Sequence, residues 1–183
     1  MTGASRPFVV VVTGSECTGK TTLADELAAA FDAPRSPEFV RAYVDARRAP
    51  LDASDVEPIA AGQLRVERAA EAAARPGGVV VRDTDLVSTT VYARHYYGAC
   101  PAWIDWAARR RAGDLYLLLA PDVPWVPDGL QRDRPLDAER AEIHERFRDA
   151  LTARGARVVE IRGSWDERRR QAFAAVAAAL ARP

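Results

Sequence analysis

Gly14-Ser15-Glu16-Cys17-Thr18-Gly19-Lys20-Thr21 is the stretch on which the fold turns. It spells a glycine, four residues, then Gly-Lys-Thr. Before it runs Phe8-Val9-Val10-Val11-Val12, too short for an amphipathic helix and rich in β-branched residues, which reads as a buried strand. After it, Leu23, Leu27 and Phe31 recur at helical spacing among alanines. Strand, glycine-bearing turn and helix in that order form a phosphate cradle. The glycines let several backbone N–H groups converge on one anion, and the helix N-terminus adds partial positive charge. Residues 14–21, with Thr22 in the first helical turn, would then contact nucleotide phosphates. Lys20 would reach the β- and γ-phosphates, and the Thr21 hydroxyl would take a place on Mg²⁺.

Composition sharpens this. Of 26 basic residues Lys20 is the only lysine; all the others are arginine. A compact ammonium acts on phosphate as a point charge, which a broad, planar guanidinium does not supply.

The 183 residues suffice for one domain with a substantial core, and the chain reads as a single domain over residues 1–183. Formal net charge is zero, which argues against a general nucleic-acid binder. The runs Arg109-Arg110-Arg111 and Arg168-Arg169-Arg170 sit near acidic residues and read as solvated helix faces. Cys17 and Cys100 form no ligand pattern, and Cys17 reads as a small residue in a crowded turn. No apolar run reaches the ~18 residues a membrane span needs, and the N-terminus lacks a signal peptide's layout. A cytoplasmic protein is expected.

Further along, Pro37 disfavours helix through Ser36, so a short second strand is expected from about Arg35 to Glu38, then a brief helix carrying Arg41 and Tyr43. Asp52 or Ser54 can cap the next helix, which ends before Pro76-Gly77-Gly78. Val79-Val80-Val81 is a buried strand delivering Arg82-Asp83-Thr84-Asp85 at its C-terminal end. Helices are expected through Tyr92 to Gly98 and over residues 101–111. A strand over residues 114–119, a helix from Asp137 to Ala153, a strand over Val158 to Ile161 and a final helix follow. Ser164 with Glu167 makes a capping box for that last helix. Residues 122–135 form a long loop rich in Pro, Asp and Arg; loops of this length are usually functional or disordered. The alternation implies an α/β fold whose mostly parallel sheet is covered on both faces. Ligands of such sheets sit beyond the strand C-termini, where Glu38, Asp83, Asp85 and the long loop gather with the cradle.

The cradle alone means nucleotide; the other residues choose the chemistry. Ring-forming ATPases usually place a Glu after the strand-end Asp, and here Thr84 follows Asp83. Guanine-nucleotide switches usually read the base with Asn-Lys-x-Asp, which a chain with its only lysine in the cradle cannot contain. A kinase needs a carboxylate near the acceptor hydroxyl, a substrate pocket and cations over the transferring group. Asp83 supplies the first, as base or through the metal, which makes Asp83 and Thr21 the candidate metal residues. Glu38, Arg41, Tyr43 and Asp85 can furnish the pocket. Arg132 and Arg134 can close the loop as a lid that excludes water. Plainer roles stand beside these: Glu38–Arg41 as an i, i+3 surface pair, Asp85 as a helix cap, and Trp103, Trp106 and Tyr116 as packing. His95 and His144 carry no assigned chemistry.

Four segments, Gly14 to Thr21, Glu38-Phe39-Val40-Arg41-Ala42-Tyr43-Val44, Asp83-Thr84-Asp85-Leu86-Val87-Ser88-Thr89-Thr90 and Pro124-Trp125-Val126-Pro127-Asp128-Gly129-Leu130, occur in one order. Together they resemble the nicotinamide riboside (ribosylnicotinamide) kinase domain of the NadR-like family, from about Phe8 to the last helix. The resemblance implies a three-layer P-loop kinase fold with a five-stranded parallel sheet. It also implies transfer of the γ-phosphate of ATP, with Mg²⁺, to the 5′-hydroxyl of nicotinamide riboside, a small nucleoside acceptor. Asp83 would then be base or metal partner, with Lys20 and Arg132 also in the catalytic set. Glu38, Arg41, Asp85 and Trp125 would line the acceptor site, and Asp128 with the arginine after it would belong to the lid, Arg134 contacting nucleotide. Where the family carries an aromatic before the glutamate this chain has Pro37, and Gln131 stands where a lid arginine is expected, with Arg132 one step later. Larger family proteins have an adenylyltransferase domain in front; this chain begins at its first strand and is expected not to make NAD itself. The competing expectations are a kinase for another nucleoside or hydroxyl-bearing metabolite, and a non-enzymatic, nucleotide-dependent switch.

Overall fold

The computed structural model describes residues 6–124 and 137–181. Within them the strands are β1 (Phe8–Gly14), β2 (Arg35–Ser36), β3 (Val79–Asp83), β4 (Leu115–Leu119) and β5 (Val158–Ile161). They pair in the order β2-β3-β1-β4-β5, and every pairing is parallel. Among the described residues seven α-helices flank the sheet: α1 (Lys20–Ala30), α2 (Phe39–Arg47), α3 (Val56–Ala73), α4 (Leu86–Tyr97), α5 (Ala102–Arg110), α6 (Asp137–Thr152) and α7 (Trp165–Leu180).

The period-two alternation of a strand divides β1 between two cores. Val10 and Val12 face α1 and α7 with Leu23, Leu27, Leu117 and Val176. Val9 and Val11 face α3 to α6 with Val87, Ile104, Ile143 and Phe147. A strand buried on both faces reads as an unbroken apolar run, which is why Val9 to Val12 gave so plain a signal.

Two boundaries differ from expectation. β2 stops at Ser36, because Pro37 has no N–H to donate to the ladder. Asp52 caps a 3₁₀ turn, Ala53–Asp55, in a reciprocal box with Asp55, and α3 begins only after that turn. The expected capping box of α7 is present, with Ser164 Oγ and the Glu167 carboxylate exchanging bonds with each other's backbone N–H.

The arginine runs are not uniformly solvated. Arg111 reaches inward to Glu71 (2.7 Å) and Glu67 (3.6 Å), while Arg109 pairs with Asp105 and Arg110 lies over Trp106 at the surface. Arg168 is wholly buried, with 0% exposure. Both corrections have one cause: a guanidinium on a long stem can reach past its own helix face to an internal acceptor.

Arg82, 2% exposed, lies between α3 and β3, bound to Glu71 and 3.5 Å from Glu67. Glu67 is 0% exposed, and burial pushes its carboxyl up to about 7 against the pull of Arg82. Its unfolded value is near 4.5, so Glu67 favours the folded state fully below that pH, and the benefit is lost as pH rises through 7. Glu67→Gln should therefore gain on the wild type by about 2–3 kcal/mol between about pH 4 and about pH 8 in urea denaturation. A stability difference independent of pH would contradict this.

Candidate active site: cradle, carboxylates and acceptor cavity

The cradle is a run of backbone N–H groups bent around left-handed residues. Gly14 (φ 136°), Cys17 (φ 52°) and Gly19 (φ 86°) alternate with ordinary conformations, an arrangement that turns successive N–H groups to one side. Gly14 cannot be replaced, since a Cβ there would stand 2.6 Å from the Leu119 carbonyl oxygen on neighbouring β4. The Thr18 hydroxyl donates to the Ser15 carbonyl (3.0 Å), and the buried Lys20 ammonium donates to the same oxygen (2.8 Å). Helix α1 has no side-chain cap and no acid in its first turn, so its leading N–H groups and dipole suit an anion. Thr22 lies exposed in that turn.

β3 lies directly beside β1, with Asp83 opposite Val12, which brings Asp83 to the mouth of the cradle. Its carboxyl is 1% exposed, and burial raises its pKa with help from the negative charge of Glu38, while Thr21, Lys20 and Arg35 pull the other way. Thr21 Oγ1 and Asp83 Oδ1 are both buried, and neither makes a well-formed hydrogen bond. The Thr21 hydroxyl and the Asp83 carboxylate, neighbouring hard oxygens beside a phosphate cradle, fit Mg²⁺, which binds through few protein ligands and the substrate's own phosphates. No cluster of three or more His, Cys, Asp or Glu side chains among the described residues could hold a metal alone.

The chain turns sharply after Asp83. Thr84 takes φ 66°, a left-handed conformation that a β-branched residue adopts only under constraint, and its N–H donates to the Val12 carbonyl (2.9 Å). The turn sends Asp85 to the start of α4, where Oδ1 accepts from the Val87 N–H (2.9 Å) and Oδ2 from the Tyr116 hydroxyl (2.7 Å). Burial raises the pKa of both partners. The cap reading of Asp85 is therefore the one the structure bears out; its carboxylate borders the acceptor space while both oxygens hold the protein together.

That space is a cavity of about 1100 Å³ walled by α2, the 3₁₀ turn, α3 and α4. Glu16, Glu38, Thr84, Asp85 and Ser88 belong to its wall, with Tyr92, Tyr96 and Tyr97 along α4. From Ser88 to Tyr97 the helix runs about 14 Å. Its charged lining is mostly acidic, with Glu16, Glu38, Asp45, Asp52, Asp55, Asp85 and Glu139 beside Arg48, although Arg47 pairs with Asp52 and Asp55 and Arg41 with Glu38. Glu38, 8% exposed, is bound by Arg41 Nε (2.8 Å), so the i, i+3 pair forms, but its carboxylate is buried at the cavity instead of lying on the surface. Gln63 fixes the entry to α2, its Oε1 accepting from the Phe39 N–H (3.0 Å).

Tyr43 departs from the expected pocket: its hydroxyl donates to Asp55 (2.8 Å) and its ring leans on Phe39 (6.2 Å between centroids). It supports the wall from behind. Arg35 was given no site role from the sequence, yet it bridges Asp25 (2.6 Å) and Asp83 (3.6 Å). Only its place at the start of β2 hinted at this. Arg168 was missed too. It donates to the carbonyls of Gly163 (2.8 Å), Thr18 (3.3 Å) and Ala120 (2.9 Å) and pairs with Asp122. It thus ties the cradle to the ends of β4 and β5. Trp125, Asp128, Arg132 and Arg134 lie outside the described residues.

A parallel sheet with the cradle at its centre and an Asp-bearing strand beside it defines a P-loop nucleotide-binding domain of kinase-like fold. A family described as "AAA domain" matches residues 9–168, and the chain belongs to that family. The resemblance read from the four motifs also holds. The trifunctional NAD biosynthesis/regulator protein NadR of Escherichia coli is 31% identical over 134 residues, covering 69% of this chain and 32% of NadR; the Salmonella typhimurium protein matches equally. A crystal structure of NadR protein in complex with NR superposes with a TM-score of 0.79 at 28% identity, over 97% of this chain and 52% of that one. NadR protein in complex with NAD and AMP-PNP gives 0.75 at 27% identity, over 97% and 50%. The chain thus spans about a third of the curated relatives and about half of the solved ones. Thymidylate kinase from Candida albicans shares the fold, at TM-score 0.69 and 15% identity over 94% of this chain and 92% of that one. No helix among the described residues is long and apolar enough to cross a membrane.

Proposed function

We propose that this domain is an ATP- and Mg²⁺-dependent kinase that transfers the γ-phosphoryl group to the 5′-hydroxyl of nicotinamide riboside. The observation that carries the reading is that a cavity with room for a nucleoside opens beside the phosphate cradle, with Glu16 and Glu38 in its wall and Asp83 at the junction. The cradle N–H groups and Lys20 hold the phosphates in line. Thr21 and Asp83 hold the metal, which when bound neutralises charge on the phosphate oxygens. Glu38, held by Arg41, faces the acceptor side of the same junction. A cavity wall rich in carboxylates suits a pyridinium nucleoside, which is a cation, and the tyrosines of α4 offer it π faces. The match to NadR, solved with NR and with AMP-PNP, supports the same pairing of acceptor and donor. Arg132 and Arg134 remain the proposed cations of the lid.

The test is a panel of nucleosides and hydroxyl-bearing vitamins screened for ADP release with ATP and Mg²⁺. Nicotinamide riboside should give turnover well above the acceptor-free rate. Turnover on another nucleoside alone would keep the kinase and overturn the acceptor. Silence across the panel with ATP bound would favour a nucleotide-dependent switch.

A further inference from the structure

Glu16 belongs both to the cradle and to the wall of the acceptor cavity. Its backbone sits between Ser15 and Cys17 in the phosphate loop, and the residue also lines the cavity, as Glu38 and Ser88 do. The residue is 7% exposed, and Oε2 is buried with no hydrogen-bond partner. Neither observation suits a phosphate ligand. A carboxylate next to a triphosphate repels it, so nothing in nucleotide binding accounts for an acid at this position. A buried oxygen without a donor is itself costly unless something else supplies one.

We infer that Glu16 is a specificity-determining residue of the acceptor site: its carboxylate accepts a hydrogen bond from a hydroxyl of the acceptor that is not phosphorylated, and it turns away acceptors that already carry a phosphate. The inference rests on the kinase reading above and adds the class of acceptor, a neutral or cationic polyol such as a nucleoside, to that site. The chemistry is one of donors and charge. An ionised carboxylate is acceptor-only, so it recognises O–H or N–H groups and disfavours anions. Glu38, paired with Arg41, lies in the same wall and sets a second carboxylate against a nucleotide there. The same repulsion would hasten release of the mononucleotide product, which gains negative charge in the reaction.

Glu16→Gln keeps the shape and removes the charge. With nicotinamide riboside as acceptor, or whichever panel nucleoside the wild type phosphorylates, its acceptor KM should rise about tenfold. The KM for ATP should stay within a few-fold or fall, and inhibition by the mononucleotide product should tighten. Glu16→Ala should raise the acceptor KM further at the same ATP affinity, which also reports that the cradle is intact. A merely structural role would instead move ATP binding together with acceptor binding. An acceptor KM unchanged in both variants, or a loss confined to ATP, overturns the inference and leaves the kinase reading standing. A wild-type protein with no acceptor in the panel removes both.

Discussion

Asp83→Asn is expected to lower acceptor-dependent ADP release by about 10³-fold while ATP affinity stays within a few-fold. On the proposed reading the main grip on the triphosphate is the converging N–H groups of residues 14–21 and the Lys20 ammonium, which the substitution leaves in place. What changes is the charge at the junction. Asp83 lies beside Thr21 with one buried, unpaired oxygen. An amide there offers one weaker acceptor oxygen to a metal and no basicity to a hydroxyl. Binding by calorimetry and steady-state ADP release, measured on one preparation, separate the two effects. Residual turnover within tenfold of wild type would show that Asp83 stands outside the chemistry.

The second large effect concerns stability. Arg168→Met should cost about 3 kcal/mol or more in chemical denaturation, although it lies in a run of arginines that looks dispensable. The guanidinium satisfies three backbone carbonyls from three separate segments and pairs with the Asp122 carboxylate. Methionine fills the volume but leaves those acceptors without donors and a carboxylate without its partner. One of the carbonyls is that of Thr18 in the cradle, so ATP affinity should fall in step with stability. Asp122→Asn, which keeps a hydrogen-bond acceptor, should lose less. A stability change below about 1 kcal/mol for Arg168→Met would mean that the buried network is redundant.

Those two residues mark what the sequence made legible. Asp83 could be found because two strong local signals meet there, a β-branched run and an abrupt acidic corner. The cradle was legible because its glycines answer to backbone geometry alone, as Gly14 shows against Leu119. Asp85 was readable as a cap, since an acid before an apolar helical run has a local use. Arg168 was not legible. In a chain whose cations are arginine at every position but one, a buried guanidinium and a solvated one are spelled alike. Arg82, Arg140 and Arg168 are among the largest fully buried side chains, and each has partners distant in sequence: Glu67 and the Arg111 carbonyl, the Val123 carbonyl, and the Thr18 and Ala120 carbonyls. Glu16 was legible only as a member of the cradle: the motif around it is so strong that its place in the cavity wall had no separate signal. Tyr43 failed because helical spacing gives a face but not what stands opposite, here Asp55.

The most direct measurement of the central claim is a crystal structure of the domain with AMP-PNP, Mg²⁺ and nicotinamide riboside bound together. The metal should lie between Thr21 Oγ1, the Asp83 side and the phosphates, and the ribose in the cavity of α2, α3 and α4. The 5′-hydroxyl should then face the γ-phosphorus within contact distance of Glu38 or Asp83. A γ-phosphate turned away from Asp83, or an acceptor seated outside that cavity, would contradict it.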